Sequence, residues 1–245
     1  MSSSTTIANS SVLVTGANRG LGRALVDEAL RRGAKRVYAG SRQPYEHPDR
    51  RVSPLTLDIT DSAQIQAAVD RVDSLDVLVN NAGVAIFDEL GDRSVLEQHL
   101  AVNPFGTWAM TQAFLPTLTD TEGAVVNVMS VAALATLPIV PSYSVSKAAE
   151  FMLTQSVRAL SGPYGVKVHA VLAGPMDTEM SRAFPVPKAS PVSVAGAIYD
   201  GVETEDEEIF PDPMSETLAE SWRAGAVKEL EREMRMLVAP EPEGS

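Results

Sequence analysis

Short apolar runs alternate with amphipathic segments along almost the whole chain. Runs rich in Val, Leu and Ala are typical of strands that are buried on both faces of a sheet. The predicted strands are residues 11–15, 35–41, 52–57, 76–79, 123–129, 166–172 and 208–210. Strands that alternate with helices pair in parallel, and right-handed crossovers place the helices on both faces. The pattern therefore predicts a single doubly wound α/β domain over residues 1–245, with a central parallel sheet of about seven strands.

The predicted helices lie between these strands. They are residues 21–32, 61–72, 92–118 and 142–160, followed by a short helix and a charged terminal helix. Gly33 ends the first helix, and Asp61 with Gln64 resembles a capping box that opens the second. Because proline has no backbone N–H, we expect Pro104 to bend the third helix or to end its first half.

The composition is that of a globular chain and excludes several classes of protein. The 245 residues are 44% hydrophobic and carry a net charge of −12, which argues against nucleic acid and anionic membranes as partners. The absence of cysteine excludes disulfides and thiolate metal sites, and the three histidines show no metal-ligand spacing, so no metal is expected. Residues 1–11 lack the basic and apolar regions of a signal peptide, and no apolar run reaches about 18 residues. We expect a cytoplasmic protein whose residues 1–10 are flexible.

The charge is distributed unevenly. Residues 1–50 hold eight basic and four acidic side chains, whereas residues 196–245 hold four basic and fourteen acidic ones. The acidic end, including residues 203–208, is interpreted as a solvated surface. The basic end surrounds a glycine-rich loop, residues 15–22 (TGANRGLG), which joins the first strand to the first helix. Glycines there permit a tight turn and a close approach to a pyrophosphate at the helix N-terminus, where N–H groups and the helix dipole favour anions.

Tyr143 and Lys147 are four residues apart on a predicted helix and therefore share one face. A phenol with its usual pKa near 10 is a slow acid or base at neutral pH, and a neighbouring cation lowers that pKa. Such pairs are common on helix surfaces. Because Ser130 stands at the end of a strand thirteen residues upstream, a catalytic role is favoured.

The glycine spacing T-G-x-x-x-G-x-G resembles that of the short-chain dehydrogenase/reductase family, and three further motifs agree with it between Val12 and Thr178. They are the N-N-A-G motif at residues 80–83, the adenine-contacting pair Asp58 and Ile59, and the catalytic tetrad Asn103, Ser130, Tyr143 and Lys147. The resemblance implies a Rossmann-type fold and an oxidoreductase that uses a nicotinamide cofactor.

The resemblance also implies a role for each residue of the tetrad. Tyr143 exchanges a proton with a carbonyl or alcohol oxygen during hydride transfer, and Ser130 hydrogen-bonds the same oxygen. Lys147 holds the nicotinamide ribose and lowers the pKa of Tyr143, while Asn103 holds a water that connects Lys147 to solvent. Because Pro104 follows directly, two outcomes stay open: a kink suits an asparagine that must face a water, or it displaces Asn103 from the site.

The second strand indicates which cofactor is used. An acidic residue at its end selects NAD, whereas arginine accommodates the 2′-phosphate of NADP. Here Gly40 takes the acidic position, Arg42 and Arg19 are within reach of a phosphate, and Ser41 can donate a hydrogen bond, so NADP(H) is expected. The expected cofactor contacts are Gly16, Asn18, Arg19, Gly20, Leu21, Gly22, Ser41, Arg42, Asp58, Ile59, Asn81, Ala82, Gly83, Tyr143, Lys147, Gly174, Met176 and Thr178.

One motif departs from the family pattern. After the sixth strand the chain reads AGPMDT from residue 173, with Ala173 where the family has a proline. The Met176 backbone and Thr178 are still expected to contact the nicotinamide carboxamide. Residues 179–190, which include Met180, Phe184 and Val186, are expected to form a lid over the substrate.

The loops on the substrate side are apolar. Residues 84–87 and 131–141 carry no charge, which favours a hydrophobic ketone, aldehyde or alcohol as the substrate of a carbonyl reductase or alcohol dehydrogenase. Two alternatives stay open: a 3-oxoacyl-thioester or hydroxysteroid reductase on the same scaffold, and a non-catalytic NADP-binding redox sensor. The resemblance also implies a homo-oligomer, a dimer or tetramer, to which the apolar stretches at residues 108–114 and 151–160 would contribute.

Overall fold

The seven predicted strands form one parallel sheet in a computed structural model that describes residues 5–43, 45–182 and 185–238. The strands are β1 (Ser11–Thr15), β2 (Arg36–Ser41), β3 (Val52–Thr56), β4 (Val77–Asn80), β5 (Ala124–Ser130), β6 (Lys167–Ala173) and β7 (Glu208–Ile209). Their order is β3-β2-β1-β4-β5-β6-β7, and every neighbouring pair is parallel. Strand order therefore reverses between β1 and β4, which is where ligands bind in open sheets of this kind.

Helices cover both faces of the sheet, as predicted. They are α1 (Gly20–Arg31), α2 (Ser62–Val69), α3 (Arg93–Leu100), α4 (Thr107–Asp120), α5 (Pro141–Ser161), α6 (Pro191–Glu203), α7 (Pro213–Arg223) and α8 (Ala226–Arg235). Single 3-10 turns follow β5, α5 and α8 at Val131–Ala133, Gly162–Tyr164 and Met236–Val238.

Alternate residues of the central strands face two different hydrophobic cores. Val12 and Val14 of β1 pack with Leu25 of α1 and Ile198 of α6 on one face. Leu13, between them, packs on the other face in a core that α2, α4 and α5 also supply. All of these side chains are fully buried, so the continuous apolar runs do mark strands covered on both sides.

The predicted third helix is divided into three parts. Helices α3 and α4 are separated by a π-helical turn, Ala101–Gly106, which contains Pro104. Proline cannot donate a backbone hydrogen bond, and the wider turn absorbs that loss without ending the helical path. The charged terminal helix is likewise two helices, α7 and α8, with Gly225 at the N-cap of the second. The other boundaries differ from the predicted ones by a few residues.

The acidic C-terminal region is not a solvated surface throughout. Glu208 is 4% exposed, and its carboxylate lies 2.8 Å from both the Arg158 guanidinium and the Lys228 ammonium. Glu207 and Glu231 bind the same two cations, so α8 is held on β7 and α5 by a network of buried ion pairs. Apolar pattern alone does not reveal this docking because every member of the network is charged.

The described part of the N-terminal segment packs against the domain. Ile7 is fully buried, and its backbone N–H donates to Glu203 at 3.1 Å. Among the described residues no helix combines the length and the apolar character needed to cross a bilayer.

Candidate active site

Four loops meet at the carboxyl edge of the sheet, where β1, β4, β5 and β6 end. They are the glycine-rich loop, the segment after Asn80, the turn after Ser130 and the segment after Ala173. An open parallel sheet with a glycine-rich loop at its switch point defines a nucleotide-binding protein of the doubly wound class.

The glycine-rich loop requires its glycines. Gly16 and Gly20 have φ values of +66° and +52°, a region that favours glycine. A Cβ on Gly22 would lie 2.0 Å from the carbonyl oxygen of Gly16, so the turn closes only without a side chain there. The N-cap residue Arg19 makes no side-chain cap, which leaves the first N–H groups of α1 for another partner. This cradle fits the pyrophosphate of a dinucleotide.

Asn81 and Ala82 fasten the segment after β4 to the end of β1. The Asn81 side chain donates to the carbonyl of Thr15 at 2.8 Å, and the backbone N–H groups of Asn81 and Ala82 donate to the Thr15 hydroxyl at 2.9 and 3.0 Å. A Cβ on Gly16 would lie 3.1 Å from Ala82 Cα. The N-N-A-G segment is thus hydrogen-bonded to the end of β1 and packs against Gly16 of the glycine-rich loop.

The tetrad residues converge from three elements. Ser130 ends β5, Tyr143 and Lys147 lie on α5, and Asn103 lies in the π-helical turn. Lys147 Nζ is 5.8 Å from the centroid of the Tyr143 ring, and Ser130 is near enough to Tyr143 to lower the pKa of its phenol. Gly83 lies next to both Asn103 and Lys147. A Cβ on Gly83 would be 3.1 Å from Asn103 Oδ1 and 3.8 Å from Lys147 Nζ.

Pro104 leaves Asn103 inside this group. Asn103 is fully buried, and its Oδ1 accepts from the Val84 N–H at 2.9 Å. Its Nδ2 donates to the Val84 carbonyl at 3.0 Å and to the Ser146 hydroxyl at 2.8 Å. The side chain therefore joins the segment after β4 to α5.

The pKa of Tyr143 departs from the sequence-based expectation. Burial raises this pKa above its usual value, and the Glu150 carboxylate adds to the rise. Lys147 lowers this pKa, as expected, and so does the neighbouring Ser130 side chain, but burial outweighs both. The phenol is therefore the stable form of Tyr143 at neutral pH.

Sequence reasoning missed Glu150. Its carboxylate lies 2.7 Å from Lys147 Nζ, and it accepts a second hydrogen bond from the Thr107 hydroxyl at 3.1 Å. Lys147 Nζ also donates to the carbonyl of Val128 at 3.1 Å. The available signal was the spacing of three residues between Lys147 and Glu150, but such pairs usually lie on helix surfaces.

The end of β2 offers one guanidinium without an ion pair. Gly40 takes the position where an acidic residue would select NAD. A Cβ on Gly40 would lie 2.7 Å from Leu57 Cδ2, so the packing of Leu57 leaves little room for a side chain there. Arg42 is exposed and makes no ion pair within the described residues. Ser41 is buried and donates to the carbonyl of Gln43 at 2.6 Å, while Arg19 pairs with Glu179.

Asp58 and Ile59 follow β3 with different environments. The Asp58 carboxylate accepts from the backbone N–H and the hydroxyl of Thr60, at 2.9 and 2.7 Å. Ile59 is 6% exposed and packs against Gly106, where a Cβ would lie 2.6 Å from its Cδ1. Asp58 therefore lies at the surface of the turn and Ile59 beneath it.

The segment after β6 approaches the glycine-rich loop. Gly174 donates its N–H to Asp212 at 2.7 Å, and Met176 forms an isolated bridge with Ala189. A Cβ on Gly20 would lie 3.4 Å from Thr178 Cγ2, so the two segments touch. The ion pair of Arg19 with Glu179 adds a second link at the start of the expected lid, of which residues 183 and 184 lie outside the described residues.

Comparisons with known proteins agree with this geometry. The family model for short chain dehydrogenases matches residues 10–187. A short chain dehydrogenase from Burkholderia cenocepacia J2315, solved in complex with NADP, is 36% identical with a TM-score of 0.85, and the match covers 93% of this chain and 98% of that one. Short-chain dehydrogenase PC-15 of Penicillium crustosum is 36% identical over 184 residues, which are 68% of this chain and 66% of that protein.

A further relative is estradiol 17-beta-dehydrogenase 2 of Mus musculus, which is 34% identical over 187 residues, or 69% of this chain and 49% of that protein. The chain thus spans about half to two thirds of the length of these two curated relatives. The chain belongs to the short-chain dehydrogenase family.

Proposed function

We propose that the protein is an NADP(H)-dependent oxidoreductase that interconverts a hydrophobic ketone or aldehyde and its alcohol. The observation that carries this proposal is the convergence of Ser130, Tyr143 and Lys147 beside the glycine-rich loop. A nicotinamide cofactor held in that loop would supply the hydride.

The protein's own residues would then handle the proton. Tyr143 donates its phenolic proton to the carbonyl oxygen in reduction and takes it back in oxidation, while Ser130 hydrogen-bonds the same oxygen. Because burial raises the pKa of Tyr143, its acid form persists at neutral pH, and reduction is favoured there. Oxidation, which needs the phenolate, is expected to increase toward alkaline pH.

The test of this role is Tyr143→Phe. The variant keeps the ring and loses the proton donor, so turnover should be abolished while NADPH binding, followed by fluorescence, is retained. Residual turnover near the wild-type rate would remove Tyr143 from the mechanism.

Preference for NADP(H) is supported by Gly40 and by the exposed guanidinium of Arg42. Arg42→Ala should raise the KM for NADPH by about 10- to 100-fold, since a hydrogen bond to a charged group is worth about 1.5–3 kcal/mol, and should leave the KM for NADH unchanged. Arg50→Ala, which removes an exposed guanidinium from the following loop, is the matched control. Equal use of NADH and NADPH by the wild type would contradict the preference.

The substrate class is supported by the loops at the carboxyl edge of the sheet. Leu137, Ile139, Met180 and Val186 expose apolar side chains in the segments after β5 and β6. NADPH oxidation should be measured with aryl ketones, aldehydes, ketoesters, steroids and acyl thioesters. Steroids belong in the panel because one relative is named for estradiol. NADPH binding without turnover of any of these compounds would favour a redox sensor.

We also propose that the protein assembles as a homo-oligomer through α4 and α5. Trp108, Met152 and Leu160 expose large apolar side chains on these helices. Light scattering should give a mass that is a multiple of 26.1 kDa, and Met152→Glu should lower it. A monomeric wild type would refute this assembly.

A further inference from the structure

Glu150 places a carboxylate in the interior, directly behind the tetrad. The residue is 1% exposed and lies on α5, one turn beyond Lys147. One carboxylate oxygen accepts from Lys147 at 2.7 Å and the other from Thr107 of α4 at 3.1 Å. A buried carboxylate is costly unless it is paired and hydrogen-bonded, and both of its oxygens have partners here.

This contact determines how Lys147 is held. An ammonium group has three N–H donors, of which one reaches Glu150 and one the carbonyl of Val128 in β5. The third donor makes no hydrogen bond within the described residues and is therefore available to a ligand. Lys147 is 4% exposed, so its place is set by these two contacts rather than by solvent.

We propose that Glu150 is a positioning residue, whose carboxylate holds the Lys147 ammonium against β5 and partly neutralises the positive charge that Tyr143 faces. The inference rests on the proposed function only in that Tyr143 is taken as the acid and base. The contacts of Glu150 are observed independently of any substrate.

The groups around Glu150 are one cation, one titratable phenol and two neutral hydrogen-bonding groups. On α5 they are Lys147, which is charged, and Tyr143, which titrates; α4 contributes the uncharged hydroxyl of Thr107, and β5 contributes a backbone carbonyl next to Lys147. Glu150 raises the pKa of both Lys147 and Tyr143, since a negative charge opposes proton loss from either. Tyr143 and Lys147 interact, so their titration belongs to the pair.

Glu150→Gln tests the proposal because it keeps the shape of the side chain and removes its charge. Proton loss from Tyr143 should then become easier, because the negative charge that opposes it is removed. The measurement is the near-ultraviolet absorbance of tyrosinate in the cofactor-free protein, taken as the difference between each protein and the same protein with Tyr143→Phe. The midpoint should fall by about one pH unit, the lower end of what a nearby charge produces.

Thr154→Val is the matched control. The Thr154 hydroxyl donates to the backbone carbonyl of Glu150 at 2.8 Å and accepts from Asn127 at 2.9 Å, so its loss disturbs the same buried region without changing a charge. Its midpoint should equal that of the wild type. A midpoint in Glu150→Gln that is unchanged or higher overturns the proposal, as does an equal decrease in both variants.

A second measurement applies if Glu150→Gln does not fold. In Lys147→Met the Glu150 carboxylate loses its cation and should take up a proton, which gives an infrared carboxylic acid band at neutral pH. The band should be absent from the wild type and from the double variant with Glu150→Gln. Its absence from Lys147→Met, or its presence in the wild type, overturns the proposal. Neither measurement needs substrate or cofactor, so a lack of turnover would refute the proposed function separately.

Discussion

His169 makes the stability of this protein depend on pH through a single buried ring. The residue lies in β6 and is 2% exposed. Its Nδ1 lies 2.7 Å from the carbonyl oxygen of Asp206, which can only accept, so Nδ1 carries the proton. Nε2 is buried and has no hydrogen-bond partner among the described residues. Protonation would place a charged N–H at Nε2 with nothing to accept it.

The magnitude follows from two pKa values. Burial lowers the pKa of His169 from 6.5 to about 4, and the nearby charges of Arg158 and Lys167 add to the decrease. As pH falls below 6.5 the unfolded chain binds a proton that the folded state refuses, so stability is lost until the pH reaches about 4. At about 1.4 kcal/mol per pH unit the full loss is about 3 kcal/mol, of which about 2 kcal/mol is lost by about pH 5.

The assay compares the wild type with His169→Asn, whose amide nitrogen can replace Nδ1 as the donor to Asp206 but does not titrate. Urea unfolding followed by circular dichroism at about pH 7.5 and about pH 5 should show that the wild type loses about 2 kcal/mol more than the variant. Val171→Ala, which leaves a cavity in the same strand, should track the wild type between the two pH values. Equal pH dependence in the wild type and in His169→Asn would refute the reasoning.

Two further substitutions test the loop and the ion network. Gly22→Ala should cost about 2 kcal/mol of stability and abolish NADPH binding, because its Cβ would lie 2.0 Å from a loop carbonyl oxygen. Gly91→Ala is the control, because an added Cβ there would meet nothing within 4 Å, and it should leave the melting temperature and binding unchanged. Equal effects of the two substitutions would argue against a steric clash at Gly22. Lys228→Met should cost about 3 kcal/mol in urea unfolding, since it leaves buried carboxylates short of a cation. Arg232 forms an exposed ion pair with Glu229, so Arg232→Met should lower the free energy of unfolding by less than about 1 kcal/mol. A similar loss in Lys228→Met and Arg232→Met would argue against burial as the cause.

The sequence predicted the centre of the sheet well because β1, β4, β5 and β6 are apolar runs covered on both faces. The same principle located Ser130 and the glycine-rich loop, since residues that end parallel strands meet at one edge. Glu150 was beyond this reasoning. Its burial depends on Thr107 of α4, which is 43 positions away in the chain, and a charged pair three residues apart gives no sign that a second helix covers it.

The π-helical turn shows a different limit. Pro104 predicted a bend or an end within the third helix, and the structure has a π-helical turn there that leaves Asn103 hydrogen-bonded to Val84 and Ser146. Local propensity identifies where a helix is perturbed. Which form the perturbation takes is decided by tertiary contacts that only the folded chain provides.

The net charge of −12 is compatible with a site for an anionic cofactor because three carboxylates of the acidic region are paired locally, far from the glycine-rich loop. Three carboxylates there, those of Glu207, Glu208 and Glu231, face three cations, which are Arg158, Lys228 and Arg235. Arg158 contacts the carbonyl of Val168, near the start of β6, whereas the glycine-rich loop lies at the opposite edge of the sheet. At about 3.3 Å per residue the five residues from there to the end of β6 span about 16 Å, or about two Debye lengths at physiological salt. A neutral network at that distance exerts little repulsion on a bound phosphate, so the charge of the whole chain does not predict the affinity of this site.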